Sequence, residues 1–118
     1  MKEDELNLLA NEFFRMFARM EYALKSAGFH NGEGRAEADW GAFALSIEQH
    51  LQDPQSDEVR EAKAYLLTRP PKKQIIKNGL LQWSDSRATS DSEADLVLLY
   101  VRRVRNNLFH GGKFNGSR

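Results

Sequence analysis

Leu6, Leu9, Phe13, Met16, Met20 and Ala23 follow one another at intervals of three and four residues. That period gathers them on one stripe of an α-helix from about Glu3 to Ser26, whereas the two-residue period of a strand would scatter them over both faces. Phe14, Phe17, Tyr22 and Leu24 widen the stripe. A helix whose apolar surface extends beyond one stripe touches more than one neighbour. The sequence therefore predicts a helix at the centre of a bundle or at a subunit interface. The acidic start, Glu3-Asp4-Glu5, and the late Lys25 suit the helix dipole.

The same reading extends along the chain. Three glycines between Gly28 and Gly34 end the first helix and make a loop. A second helix is expected from about Glu37 to Gln52, with Trp40, Phe43, Ala44, Ile47 and Leu51 on one face, stopped by Asp53-Pro54. The stretch from Asp57 to Leu67 carries Val59, Ala62, Tyr65 and Leu66 with polar residues between them. After Pro70-Pro71 a short helix is expected near Lys72 to Trp83, weakened by Gly79. The last runs from Ser90 to about Phe109. Ser90 and Glu93 read as a capping box there, and Val97, Val101, Val104 and Leu108 form a stripe. The expected fold is all-α, an antiparallel up-and-down bundle of four to five helices in a single domain over residues 1–118.

Composition limits what such a domain can be. Without cysteine there is neither a disulfide framework nor a thiolate metal site, so no oxidising compartment is required. No apolar run approaches the roughly 20 residues of a membrane span, and Met1-Lys2-Glu3-Asp4-Glu5 is too acidic for a secretory or mitochondrial leader. The expectation is a cytoplasmic chain with no membrane contact.

Seventeen basic and seventeen acidic side chains cancel to a net charge of zero, which at first weighs against nucleic acid. The balance hides an asymmetry. Residues 1–68 sum to −6, residues 69–83 carry Arg69, Lys72, Lys73 and Lys77 with no acid, and residues 102–118 carry Arg102, Arg103, Arg105, Lys113 and Arg118 with none. Two readings stand side by side. The cations can be a solvated face that offsets a helix dipole, or a phosphate-binding patch that needs both segments on one side.

The richest stretch is Val101-Arg102-Arg103-Val104-Arg105-Asn106-Asn107-Leu108-Phe109-His110-Gly111-Gly112-Lys113. Arg105 can hold a phosphate through its planar fork of donors, and His110 can transfer a proton near neutral pH. Attack of an RNA 2′-hydroxyl on its own phosphate requires only alignment, proton transfer and stabilisation of charge on the phosphorus oxygens. Residues five apart on an unbroken helix point about 140° from each other. The helix must therefore end or distort between Arg105 and His110, or a second subunit must supply the partner; Gly111-Gly112 is a natural stop. The plainer reading is that the arginines offset the dipole, His110 is a last-turn residue and the glycines cap.

Arg105-Asn106-Asn107-Leu108-Phe109-His110 resembles the motif of the HEPN family, small all-helical domains in which Arg, four to six residues and His follow one another, usually with a polar residue directly after the Arg. Asn106 occupies that polar position. Arg103 also lies within reach of His110, but Val104 follows it, so Arg105 is the better match. The resemblance implies a homodimer whose paired Arg and His residues line one cleft and cleave single-stranded RNA without metal or cofactor. The products would be a 2′,3′-cyclic phosphate and a 5′-hydroxyl. It implies Arg105 and His110 as catalytic residues with Asn106 orienting one of them, and a toxin or defence role restrained by a protein antitoxin such as a small nucleotidyltransferase. The family also leads one to expect a further helix after Lys113, where this sequence continues with Phe114-Asn115-Gly116-Ser117-Arg118; the expectation is either a truncated chain or a site more open than is usual for the family. The alternative function is a non-catalytic RNA- or nucleotide-binding module, or one subunit of a two-protein complex.

Arg102, Arg103, Lys113, Lys72, Lys73 and Lys77 are the candidate RNA contacts outside that motif. Arg15, Arg19 and Glu21 on the first helix are further candidates for the cleft, though each also suits plain surface. His30 in the glycine loop and His50 near a helix end, with Glu48 two residues away on a different face, make a poor metal site. Trp40, Trp83 and the phenylalanines suit a core better than a base-stacking platform.

Overall fold

The computed structural model describes residues 2–109. Its elements are α1 (Glu3–Ser26), α2 (Trp40–Gln52), α3 (Asp57–Thr68), β1 (Lys73–Lys77), β2 (Leu80–Ser84) and α4 (Glu93–Phe109). The protein is mostly helical, and no helix among the described residues is long and apolar enough to cross a membrane.

The all-α expectation is corrected between Lys72 and Trp83, where β1 and β2 form an antiparallel hairpin with Lys77 opposite Leu80. That register leaves Asn78-Gly79 as a two-residue loop. Both residues have positive φ, 54° and 76°, the requirement of a type I′ turn, whose twist matches that of the flanking strands. The β-branched Ile75 and Ile76 favour the extended state. A Cβ at Gly79 would meet no neighbouring atom, so only the backbone conformation resists a side chain there. Gly79→Ala is expected to destabilise the hairpin by about 1 kcal/mol, read as faster amide exchange in β1 and β2 with the helices unaffected.

The chain divides into two compact units, one comprising residues up to Phe43 with the end of α4 from Arg105, the other comprising Ala44–Val104. In the first unit, α1 buries Ala10, Phe17 and Leu24, seven residues apart. The expected stripe is displaced by this: Phe13 and Met20 are half-buried, but Leu9 and Met16 are exposed. The aromatic rings decide the face. Phe17 stacks on Phe13 with centroids 6.0 Å apart and lies 5.4 Å from Trp40. Helix α1 ends as the glycines predict, with Gly28 at φ 99° and the amides of Gly28 and Phe29 donating to the carbonyls of Lys25 and Leu24. Helix α2 starts at Trp40 rather than Glu37 because Asp39 caps it, Oδ1 accepting from the Ala42 amide at 3.0 Å.

In the second unit, Ser56 caps α3 by accepting from the Val59 amide. None of the apolar residues along α3 is fully buried. Val59, Ala62 and Tyr65 are exposed and Leu66 is half-buried, as are Lys63 and Leu67. Helix α4 buries Ala94, Val97, Leu98 and Tyr100. The Tyr100 hydroxyl accepts from the Ala88 amide, while one guanidinium nitrogen of Arg103 donates to the carbonyls of Pro71 and Ser86, each at 3.0 Å. Since Pro71 precedes β1 and Ser86 follows β2, Arg103 ties both ends of the hairpin to α4.

Candidate functional site

Helix α4 carries most of the sequence-predicted site, and its start is fixed by a residue far away in the chain. Ser92, not Ser90, occupies the cap position, its Oγ accepting from the Asp95 amide at 3.1 Å. Ser90 instead accepts from the Ser92 amide, so the Ser90–Glu93 capping box does not form. The carboxylate of Glu48 completes the cap. It accepts from the Ser92 hydroxyl and from the amides of Glu93 and Ala94 at 3.2 and 3.3 Å. Those amides are donors that an isolated helix leaves without partners, and a negative charge suits the positive end of the dipole. Lys63 joins them, donating to the Leu51 carbonyl at 2.6 Å and pairing with Glu93 at 3.3 Å.

The Ser92 hydroxyl holds the Glu48 carboxyl below its ordinary value of 4.5; partial loss of water opposes this, and the amides of Ala94, Glu93 and Gln52 reinforce it. In the unfolded chain the carboxyl titrates higher, so the unfolded state takes up the proton first. The stabilisation is full above about pH 4.5 and is lost as the pH falls through the lower, folded-state value. Glu48→Gln is therefore expected to lower the melting midpoint at neutral pH, with the gap to the natural chain closing in acid. A gap independent of pH would count against the cap.

At the other end of α4, Arg105 is half-buried, with Cζ 5.4 Å from the centroid of Phe17 on α1. Its Nε is out of solvent and has no acceptor among the described residues, nor does any carboxylate among them pair with this guanidinium. A buried donor without an acceptor is costly, by about 1–3 kcal/mol, so this nitrogen calls for an acceptor from outside the described residues. Asn106 is exposed, Asn107 is buried, and Phe109 is exposed with its ring 6.4 Å from that of Phe14. His110 and Lys113 lie outside the described residues.

The remaining candidates separate. Arg103 is engaged with Pro71 and Ser86 and lies 5.2 Å over the Tyr100 ring, which gives it a structural task in place of the expected free RNA contact. Arg102 Nε donates to the Leu98 carbonyl one turn back. Lys73 and Lys77 sit on one face of β1 and Lys72 just before it, all exposed, on strand geometry rather than the expected helix. On α1, Arg15 and Arg19 are exposed and Glu21 is half-buried. His30 Nδ1 accepts from the Gly32 amide at 3.1 Å, and His50 is exposed near the end of α2.

No family model, curated protein or solved structure matches the chain. The functional reading therefore rests on the residues alone. The roles of two residues named in the sequence, Phe17 beneath Arg105 and Glu48 at the start of α4, were missed there. Phe17 has a signal in the seven-residue spacing of Ala10, Phe17 and Leu24, whereas nothing local links Glu48 to α4.

Proposed function

We propose that the chain is a HEPN-type helical domain, the hairpin being an insertion before its last described helix, and that it cleaves single-stranded RNA without a metal ion. The observation that carries this reading is Arg105, a half-buried guanidinium on the Phe17 ring with no carboxylate partner among the described residues. In this reading Arg105 binds the scissile phosphate through its fork and stabilises the charge that grows on its oxygens. His110 takes the proton from the attacking 2′-hydroxyl or gives one to the leaving 5′-oxygen, and the exposed Asn106 orients one of the two groups. Homodimerisation would bring two such pairs to one cleft. A protein antitoxin and a cytoplasmic setting belong to the same proposal.

The experiment is incubation of purified protein with single-stranded RNA in EDTA. Fragments ending in a 2′,3′-cyclic phosphate and a 5′-hydroxyl support the reading. Salt-sensitive binding without turnover would replace it with the non-catalytic module, for which Lys73 and Lys77 on one strand face are suited to phosphate.

A further inference from the structure

The hairpin leaves Ile76, Leu80 and Leu81 largely in water and Trp83 partly so, while Ile75 is half-buried. Ile76, Leu80, Leu81 and Trp83 are 68%, 63%, 66% and 38% exposed. The register sets Ile76 opposite Leu81 and Gln74 opposite Trp83, so Ile76, Leu81 and Trp83 share one face. A two-stranded ribbon is marginal by itself in water; further strands or a covered apolar face are what normally sustain it.

The two outer edges differ chemically. Strand β1 has Lys73 and Lys77 at its ends and follows Lys72, the kind of charge that keeps an edge from pairing. Strand β2, Leu80-Leu81-Gln82-Trp83-Ser84, has no charge. Its backbone geometry follows from the turn. In a two-residue hairpin the pair flanking the loop is hydrogen-bonded and the pairs alternate beyond it, so Leu80, Gln82 and Ser84 bond to β1. Leu81 and Trp83 direct their amides and carbonyls to the outer edge. The sheet has no third strand among the described residues.

We infer that two copies of this chain join edge to edge through β2, antiparallel and centred on Gln82, in one four-stranded sheet. The order apolar, polar, apolar at residues 81–83 reads the same in both directions. Each Leu81 then faces Trp83 of the second copy as a hydrogen-bonded pair, the apolar faces become continuous, and Gln82 faces Gln82. No like charges meet. Pairing through β1 would instead set lysines against lysines. The outermost strands of the joined sheet are the two lysine-bearing β1 strands, so assembly stops at two, as a two-fold contact does when no further edge is open. This contact holds whether or not the chain cleaves RNA.

Cross-linking tests it, because the chain has no cysteine to interfere. Directly opposed residues in a non-hydrogen-bonded pair have Cα atoms about 4.5 Å apart, within the range that a disulfide bridges. Gln82→Cys is expected to form a covalent dimer under mild oxidation at micromolar concentration, while Gln74→Cys on β1, which leaves the β2 edge intact, forms no covalent dimer. Adding Leu81→Lys to Gln82→Cys, at an exposed position that leaves the circular dichroism unchanged, is expected to abolish the dimer band. A monomeric Gln82→Cys protein, equal cross-linking through Cys at position 74, or indifference to the added lysine would each overturn the inference. In the unmodified chain the Leu81 amide should exchange slowly at high concentration; rapid exchange at every concentration would also overturn it.

Discussion

Arg105→Ala is expected to slow RNA cleavage by about 100- to 1,000-fold, the usual loss when a donor to transition-state charge is removed. As 2′-oxygen attacks phosphorus, negative charge grows on the non-bridging oxygens, and a planar fork with no competing carboxylate can follow it. His110→Ala is expected to cost a comparable factor, about 100- to 10,000-fold for a general acid or base. Single-turnover cleavage of a labelled RNA in EDTA measures both. Truncating Arg105 breaks no hydrogen bond at Nε among the described residues, so circular dichroism should be unchanged. Arg105→Lys should not restore the rate, because a single ammonium lacks the two parallel donors. Undiminished cleavage by Arg105→Ala would end the catalytic assignment.

Phe17→Ala is expected to be the most destabilising single change in the first unit. Phe17 is 6% exposed, stacks on Phe13, contacts Trp40 and underlies the Arg105 guanidinium. Removing a buried phenyl ring costs about 3–5 kcal/mol, a large part of the roughly 5–15 kcal/mol by which domains are stable. Urea unfolding should show the midpoint falling accordingly, and a shift no larger than that of an exposed alanine substitution would refute the packing. Phe17→Leu separates packing from positioning. It retains most of the apolar volume but loses the ring face beneath Arg105, worth about 0.5–2 kcal/mol as a cation–π contact, so cleavage should suffer more than stability.

The helices were legible because each is announced locally. The glycine at position 28 and the spacing on α2 and α4 need no distant partner to be read. The hairpin was legible too, in Asn78-Gly79 flanked by Lys-Gln-Ile-Ile-Lys and Leu-Leu-Gln-Trp-Ser, but those ten residues also fit a short helix unless the turn chemistry is weighed first. The face of α1 was not legible. Leu9 and Met16 match the helical period as well as Phe17 does, and only the docking of Trp40 against Phe17 selects one side. In the candidate site, sequence favoured Arg105 over Arg103 through Asn106. The geometry adds a separate distinction, since Arg103 is bound to two carbonyls and Arg105 Nε to none among the described residues.

The cap on α4 bears on how the chain acquires its fold during synthesis. Ser92 and Glu48 are 44 residues apart, so the first turn of α4 cannot gain this acceptor until a long loop has closed. Synthesis runs from the N-terminus, and a compact unit folds as a whole once its parts are available. Glu48 and all of α2 leave the ribosome before any residue of α4 does. The acceptor is thus waiting in the emerged chain, but this cap forms only after α4 itself has been made, so the start of α4 is among the last parts of its unit to be completed.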